Sequence, residues 1–274
     1  MVIGDLLRLW DKRESVHILS HYLMQTRGYV YAHADEPVVR KVEELFRRAI
    51  TLRKEGYPLQ YILGTWDFYT IELRVQEGVL IPRKETELLV DTALRYAHEQ
   101  GWIAPTVLDV GFGTGAIALA MQKHLPAAHV TGTDISRCAL QIAKENARHL
   151  GLERVRFLEG DLFSSVEGEG FDIILSNPPY LSQKDRERMQ KELSFEPEMA
   201  LFAGPEGLDI YRRLIPQAYG HLHETGILLL EIGETQAEEV CRLLREAGFS
   251  CVCVQKDLAG HDRMITAKKG GEPC

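Results

Sequence analysis

What this 274-residue sequence lacks narrows it first. No apolar run reaches the roughly 18 residues of a membrane-spanning helix. The opening MVIGDLLRLWDKRES is interrupted by charge before an apolar signal-peptide core can form. A cytoplasmic protein that stays off membranes is therefore expected. Cysteine is scarce and odd in number: Cys138, Cys241, Cys251, Cys253 and Cys274 carry none of the paired spacings of a zinc site or a redox motif. Thiols in a reducing compartment, and no metal, are the expectation. An excess of positive charge is missing too, with 32 Lys and Arg against 40 Asp and Glu. Proteins that grip long nucleic acid usually carry a basic stripe, because phosphate neutralisation supplies most non-specific affinity. The acid is unevenly spread: residues 1–75 hold 11 basic and 10 acidic side chains, the remainder 21 and 30. Direct nucleic-acid binding is not expected. Repeats and low-complexity tracts are also absent.

What is present suits a full hydrophobic core, at 45% apolar and 26% charged residues, and a length that accommodates two units. The first stretch reads as helical. Val16, Leu19 and Leu23 share one face, and Val38, Val42, Leu45, Ala49 and Leu52 recur at alternating steps of four and three, with Asp35 and Pro37 as a start and Gly56 as a stop. From Phe68 to Ile81 the period becomes two, through Ile71, Leu73 and Val75 to a turn at Glu77-Gly78 and then Val79-Leu80-Ile81, which predicts a hairpin. A helix is expected from Glu85 to His98. From Thr106 onward the strand-like segments VLDV, VTGTD, VRFLE, FDIILS and GILLLEI alternate with helical ones at 116–124, 136–150, 208–223 and 236–247. That alternation predicts an α/β fold with a doubly wound, mostly parallel sheet. Two closing strands without a helix between them, 250–254 and 264–267, predict a terminal antiparallel hairpin.

The first of these strands runs into Asp109-Val110-Gly111-Phe112-Gly113-Thr114-Gly115. Glycines there let a ligand approach the backbone closely at the carboxyl edge of the sheet. The spacing also satisfies a dinucleotide pattern through Gly111, Gly113 and Ala116, so on its own it leaves a nicotinamide or flavin site open. Asp134 ends the second strand, where a carboxylate can accept both hydroxyls of a ribose. Asp109 separates the alternatives: a carboxylate beside the glycines repels a pyrophosphate but suits the ammonium of a methionine moiety, which favours S-adenosyl-L-methionine. After the third strand, Asp161, Leu162 and Phe163 would bring a carboxylate and apolar side chains near an adenine; a helix cap is the plainer role for Asp161.

The fourth strand passes directly into Asn177-Pro178-Pro179-Tyr180. Prolines fix the backbone and offer no N–H to compete for the neighbouring carbonyls. The Asn177 side-chain oxygen and the Pro178 carbonyl can then accept the two N–H groups of one planar amide or amine, with the Tyr180 ring stacked on its face. Such a site suits a conjugated nitrogen, a weak nucleophile on which positive charge builds as it attacks a sulfonium methyl.

In this order, DVGFGTG, Asp134 and NPPY resemble the class I methyltransferases that act on exocyclic or amide nitrogens, adenine-specific nucleic-acid enzymes included. Pro58-Leu59-Gln60-Tyr61-Ile62-Leu63-Gly64, Phe68-Tyr69 and Ile81-Pro82-Arg83-Lys84-Glu85-Thr86-Glu87 narrow the resemblance to the release-factor glutamine methyltransferase family. Glu196-Pro197, Gly207-Leu208-Asp209, Glu231-Ile232-Gly233 and Asp257-Leu258-Ala259-Gly260 with Arg263 extend it along the chain. Lys84 stands where that family more often has proline, and Leu162 where some members have tryptophan, which would weaken adenine contacts. The resemblance implies a Rossmann-like class I domain at 83–274, preceded by a helical substrate-recognition domain at 1–66 and a β-hairpin linker at 67–82. It also implies S-adenosyl-L-methionine bound by Asp109, Gly111 to Gly115, Asp134, Ile135, Asp161, Leu162 and Asn177. The glutamine of a peptide chain release factor would be methylated between Asn177, Pro178, Pro179 and Tyr180. Arg83 and Glu196 are read either as organisers of the neighbouring loops or as a structural salt bridge. A non-catalytic, cofactor-sensing module would keep the glycine turn but have no use for NPPY.

Overall fold

A computed structural model describes residues 1–270, and its contacts divide the chain into two compact units. The first comprises Met1–Thr65 together with Gln190–Phe195, the second Trp66–Met189 and Glu196 onward. Cys274 lies outside the described residues; Cys138, Cys241, Cys251 and Cys253 form no disulfide with one another. Among the described residues no helix is long and apolar enough to cross a membrane.

The first unit is built from α1 (Ile3–Leu7), α2 (Lys12–Leu23), α3 (Arg27–Ala32), α4 (Arg40–Lys54) and α5 (Leu59–Leu63). Asp11 caps α2 by accepting from the backbone N–H groups of Arg13 and Glu14, and Thr26 caps α3. Ile3, Leu6, Val16, Leu19, Val30, Phe46 and Ile50 fill its core. Helix α4 starts later than Asp35 and Pro37 suggest. Val38 N–H is taken by the Met1 carbonyl at 2.9 Å and Pro37 bridges Val2, so this stretch is extended and the helix begins at Arg40. Its most buried face is also turned from the expected one, onto Val42, Phe46, Ala49 and Ile50. Within the same unit the mostly buried Arg53 donates to Glu14 at 2.6 and 2.8 Å and to Glu192 at 3.4 Å.

The second unit opens with β1 (Thr65–Phe68) and β2 (Ile71–Arg74), which form a two-stranded sheet. The hairpin turn therefore falls at Tyr69-Thr70; Glu77-Gly78 is also a turn, but Val79-Leu80-Ile81 after it is not a strand. Ile71, Leu73 and Val75 are all buried on one face, and in the second apolar run Val79 and Ile81 are buried without belonging to a strand. Then follow α6 (Glu87–Glu99), β3 (Thr106–Val110), α7 (Ala116–His124), β4 (His129–Asp134), α8 (Arg137–Leu150), β5 (Arg156–Glu159) and β6 (Phe171–Ser176). An excursion between Leu181 and Phe202, closed at its base by a parallel bridge, carries two 3₁₀ turns and the short α9 (Glu198–Leu201). The chain ends with α10 (Asp209–His221), β7 (Leu222–Glu231), α11 (Ala237–Glu246), β8 (Val252–Lys256) and β9 (Asp262–Lys268).

Among the described residues seven strands form one sheet in the order β5-β4-β3-β6-β7-β9-β8, parallel from β5 to β7, with β9 antiparallel to both β7 and β8. Its central strands are buried on both faces, which is why they read as unbroken apolar runs. Val107, Ile173, Ile227 and Leu229 pack on one side with α6, α7 and α8; Leu108, Ile174, Leu228 and Leu230 pack on the other with α10 and α11. The chain winds outward from β3 to β5 and then returns to β6 on the opposite flank of β3. The reversal leaves a crevice at the carboxyl ends of β3 and β6, where open α/β sheets bind ligands. It also sets the glycine turn and the Asn177 turn side by side.

Candidate active site

A cavity of about 370 Å³ occupies this crevice, within the range of small-molecule sites. Its lining brings together most of the residues singled out from the sequence: Gly111, Phe112, Gly113, Thr114, Asp134, Ile135, Asp161, Leu162, Asn177, Pro178 and Pro179. Gly115, Asp109 and Tyr180 are not among its lining residues.

The glycine turn is held from below. Gly111 and Gly115 have φ of +79° and +83°, a region a side chain enters only at a cost. A Cβ on Gly115 would also lie 3.0 to 3.2 Å from Phe157, Leu119 and Ala143. This glycine is therefore required by packing and contributes no cavity surface. Asp134 accepts the Gly113 N–H at 2.9 Å and the Ser136 N–H at 2.8 Å, so its carboxylate fixes the turn while lining the cavity. Burial raises its pKa and the two N–H groups oppose that shift. Asn146, fully buried on α8, donates to the Thr114 and Arg74 carbonyls and accepts the Arg74 N–H, tying the turn to β2.

Asp109 does not face a ligand. It is fully buried, its Oδ2 accepts the Ala118 N–H near the start of α7 at 3.0 Å, and its Oδ1 has no hydrogen-bond partner among the described residues. Desolvation pushes its pKa up to about 7 despite that N–H. A carboxylate near the end of a strand, two residues before the first glycine, points either up to the ligand or down to the next helix, and spacing cannot tell which.

Next to Pro179 the partly buried Tyr180 packs against the apolar cluster on the α10 and α11 side of the sheet, and burial raises its pKa well beyond the usual phenol range. Its carbonyl accepts from Gln236 Nε2 at 2.9 Å. Asn177 remains at the wall, and its Nδ2 donates to Thr86 Oγ1 at 3.0 Å. Thr86 in turn donates to Glu231 Oε2 at 2.6 Å. Glu231 is fully buried, with a pKa raised to about 7 by desolvation and opposed by the Thr86 hydrogen bond and then by Arg263. Neither Thr86 nor Glu231 stood out as a site residue in the sequence, because each needs its partners across the fold to acquire meaning.

Val79 and Leu80, misread as a strand, are cavity wall, as are Pro197, Met199, Phe202, Ile210 and Leu214. Arg83 and Glu196 form a salt bridge with each other, and Glu196 also accepts the Ile81 N–H at 2.9 Å, so the buried carboxylate fastens this stretch of wall. Asp161 is paired with Arg213, which also lines the cavity and went unremarked in the sequence. Leu162 adopts φ +53°, a left-handed conformation uncommon for a bulky residue. Among the described residues no cluster of three His, Cys, Asp or Glu side chains is set to hold a metal ion.

The chain is 40% identical to release factor glutamine methyltransferase of Xylella fastidiosa strain Temecula1, over 95% of its own length and 94% of that protein's. It is 40% identical to the enzyme of the same name from Moorella thermoacetica, over 90% and 87%. This chain belongs to the release factor glutamine methyltransferase family. Residues 10–64 match the PrmC N-terminal domain and residues 84–204 the Methyltransferase small domain. The family sequence signature thus spans both units. At the level of fold the chain is similar to a 16S rRNA N2 G1207 methyltransferase of Thermus thermophilus, with a TM-score of 0.57 at 19% identity over 75% of this chain and 49% of that one. A ribosomal protein L11 methylase of Lactobacillus delbrueckii subsp. bulgaricus gives 0.53 at 24% identity over 73% and 86%.

Proposed function

We propose that this protein methylates the side-chain amide nitrogen of the glutamine in the Gly-Gly-Gln motif of peptide chain release factors, with S-adenosyl-L-methionine as donor, giving N5-methylglutamine and S-adenosyl-L-homocysteine. One observation carries the chemistry: Asn177 and Pro178 line the same cavity as the glycine turn and Asp134. An amide acceptor wall and a nucleoside-sized, glycine-floored pocket in one crevice are the two things such a transfer requires.

The residues present fit the donor. Asp134 faces the cavity with a carboxylate whose oxygens each retain a lone pair beside their backbone bond, suited to ribose hydroxyls. Phe112, Ile135 and Leu162 supply apolar surface for a purine, although Leu162 supplies less than tryptophan would. S-adenosyl-L-methionine brings an electrophilic methyl on a positively charged sulfur. The protein's part is to position a poor nucleophile and to receive its developing charge. Asn177 Oδ1 and the Pro178 carbonyl accept the two N–H groups of the glutamine amide, and these bonds strengthen as positive charge builds on nitrogen. The N–C bond forms as the C–S bond breaks, the sulfur keeps the electron pair, and the nitrogen afterwards loses one proton to solvent. No general base is invoked.

We assign the helical unit of residues 1–65 to recognition of the release factor and expect no direct nucleic-acid binding, in keeping with the acidic charge balance. The reaction belongs in the cytoplasm, where translation termination takes place. Incubation with labelled donor and either release factor or nucleic acid tests the assignment; intact mass of the factor should show one added methyl, mapped to the Gly-Gly-Gln glutamine. Label in nucleic acid alone would overturn it. A short Gly-Gly-Gln peptide should be methylated with far lower kcat/KM than the folded factor.

A further inference from the structure

The Asn177 amide has two orientations that a cavity can accept with equal ease, and they do opposite things. With Oδ1 turned outward it receives a substrate N–H; with the NH2 group turned outward it meets that N–H donor to donor. Nothing in Asn177-Pro178-Pro179 selects between them. Selection comes from behind, where Nδ2 lies 3.0 Å from Thr86 Oγ1 and Thr86 Oγ1 lies 2.6 Å from the fully buried Glu231. A hydroxyl has one hydrogen. Committed to the carboxylate, it leaves only oxygen lone pairs for Asn177, and only the NH2 group can answer them.

We propose that Thr86 is a positioning residue: by donating to Glu231 it holds the Asn177 amide with NH2 inward and Oδ1 toward the substrate. This rests on the methyl-transfer reading above. The device depends on Glu231 remaining an acceptor. Around it stand Arg263 on β9, Arg83 and Glu85 from the segment before α6, and the phenols of Tyr180 and of Tyr211 on α10, whose hydroxyl donates to the Glu231 carbonyl at 2.7 Å. Burial dominates the balance and brings the carboxyl pKa up to about 7. Once protonated, Glu231 can donate to Thr86, the Thr86 hydrogen is released toward Asn177, and the amide turns over. Protonation of a residue remote from the substrate thereby reverses the polarity of the acceptor wall.

Single-turnover methylation of release factor at saturating donor tests this. The parent rate should fall about tenfold between pH 8 and pH 6, the change in ionised fraction for a group of pKa near 7. Thr86→Val should lower the pH 8 rate at least tenfold and flatten the profile, with donor affinity by calorimetry changed less than twofold, and Thr86→Ser should restore both rate and pH dependence. A Thr86→Val rate within threefold of the parent, or an undiminished pH profile, overturns the proposal. A second measurement needs neither activity nor a stable valine variant. The side-chain amide NMR signals of Asn177 in the parent, assigned by their loss in Asn177→Asp, should move with a midpoint near pH 7, and signals that stay fixed from pH 6 to pH 8 overturn it. Absence of any methylation of release factor, with those signals titrating, would sink the substrate assignment and leave the positioning of Asn177 standing.

Discussion

The two walls of the crevice are made by different means. On the β3 side the surface is largely backbone: a turn with φ held positive at three glycines and the Gly113 N–H fastened to Asp134. On the β6 side it is a proline-stiffened turn whose working group, the Asn177 amide, is a side chain set by a hydroxyl and a carboxylate from two other elements. The β6 turn is also tied to the β3 strand, through Ser176 Oγ and the Val110 carbonyl at 2.7 Å. On the function proposed above, the difference makes holding the donor and activating the acceptor nitrogen separable tasks. Changes on one wall should move affinity, and changes on the other should move kcat.

The strongest attempt to break that separation is Asn177→Ala. It removes an acceptor whose value rises in the transition state, so kcat should drop about 10²–10³-fold, roughly 2.7–4 kcal/mol, with donor affinity nearly unchanged. Single-turnover kinetics paired with donor titration reads both; a kcat within threefold of the parent would remove the chemistry from this turn. Asp134→Ala is the mirror experiment. Loss of a charge-assisted acceptor of ribose hydroxyls should weaken donor binding by about 1.5–3 kcal/mol, while kcat at saturating donor changes much less. Calorimetry gives the answer, and unchanged affinity would move the donor away from this strand end.

Smaller effects sharpen the comparison. Asp109 is beneath the turn, and its pKa is raised from 3.8 to about 7. Its proton is bound more tightly in the folded state, so the associated stability is complete below about pH 4 and is lost as pH rises through 7. Asp109→Asn keeps an acceptor for Ala118 and no longer titrates. Its melting temperature should decline less than the parent's between pH 5 and pH 8, and parallel declines would mean that this carboxyl stays ionised throughout. Smallest of all should be Arg213→Ala. The Arg213–Asp161 pair is about half exposed, a setting worth about 0–1 kcal/mol, so donor affinity should shift by less than about fivefold. A larger loss would make the arginine a ligand-contacting group.

Much of this was legible because it is local. The alternation of strands and helices, the terminal hairpin and the continuous burial of the central strands follow from periodicity and apolar content, which the chain carries in consecutive residues. The glycine turn and the NPP turn were legible for the same reason, each being a short segment whose backbone is fixed by its own residue types. Where local signals competed with long-range contacts they misled. Val79 and Leu80 are apolar because they wall the cavity, and Pro37 and Val38 are held extended by the amino terminus, delaying the start of α4.

The sequence by itself determined which backbone segments meet at the sheet's carboxyl edge, because parallel strand direction and turn chemistry follow from short-range pattern and connection rules. Only the tertiary structure decided which way Asp109, Tyr180 and Asn177 face. A side chain's direction depends on partners far away in sequence: 9 residues for Asp109 and Ala118, and 91 and 145 residues for the two links from Asn177 through Thr86 to Glu231. Hydrogen-bond polarity at a buried site is a property of the closed network, and no member of that network carries it alone.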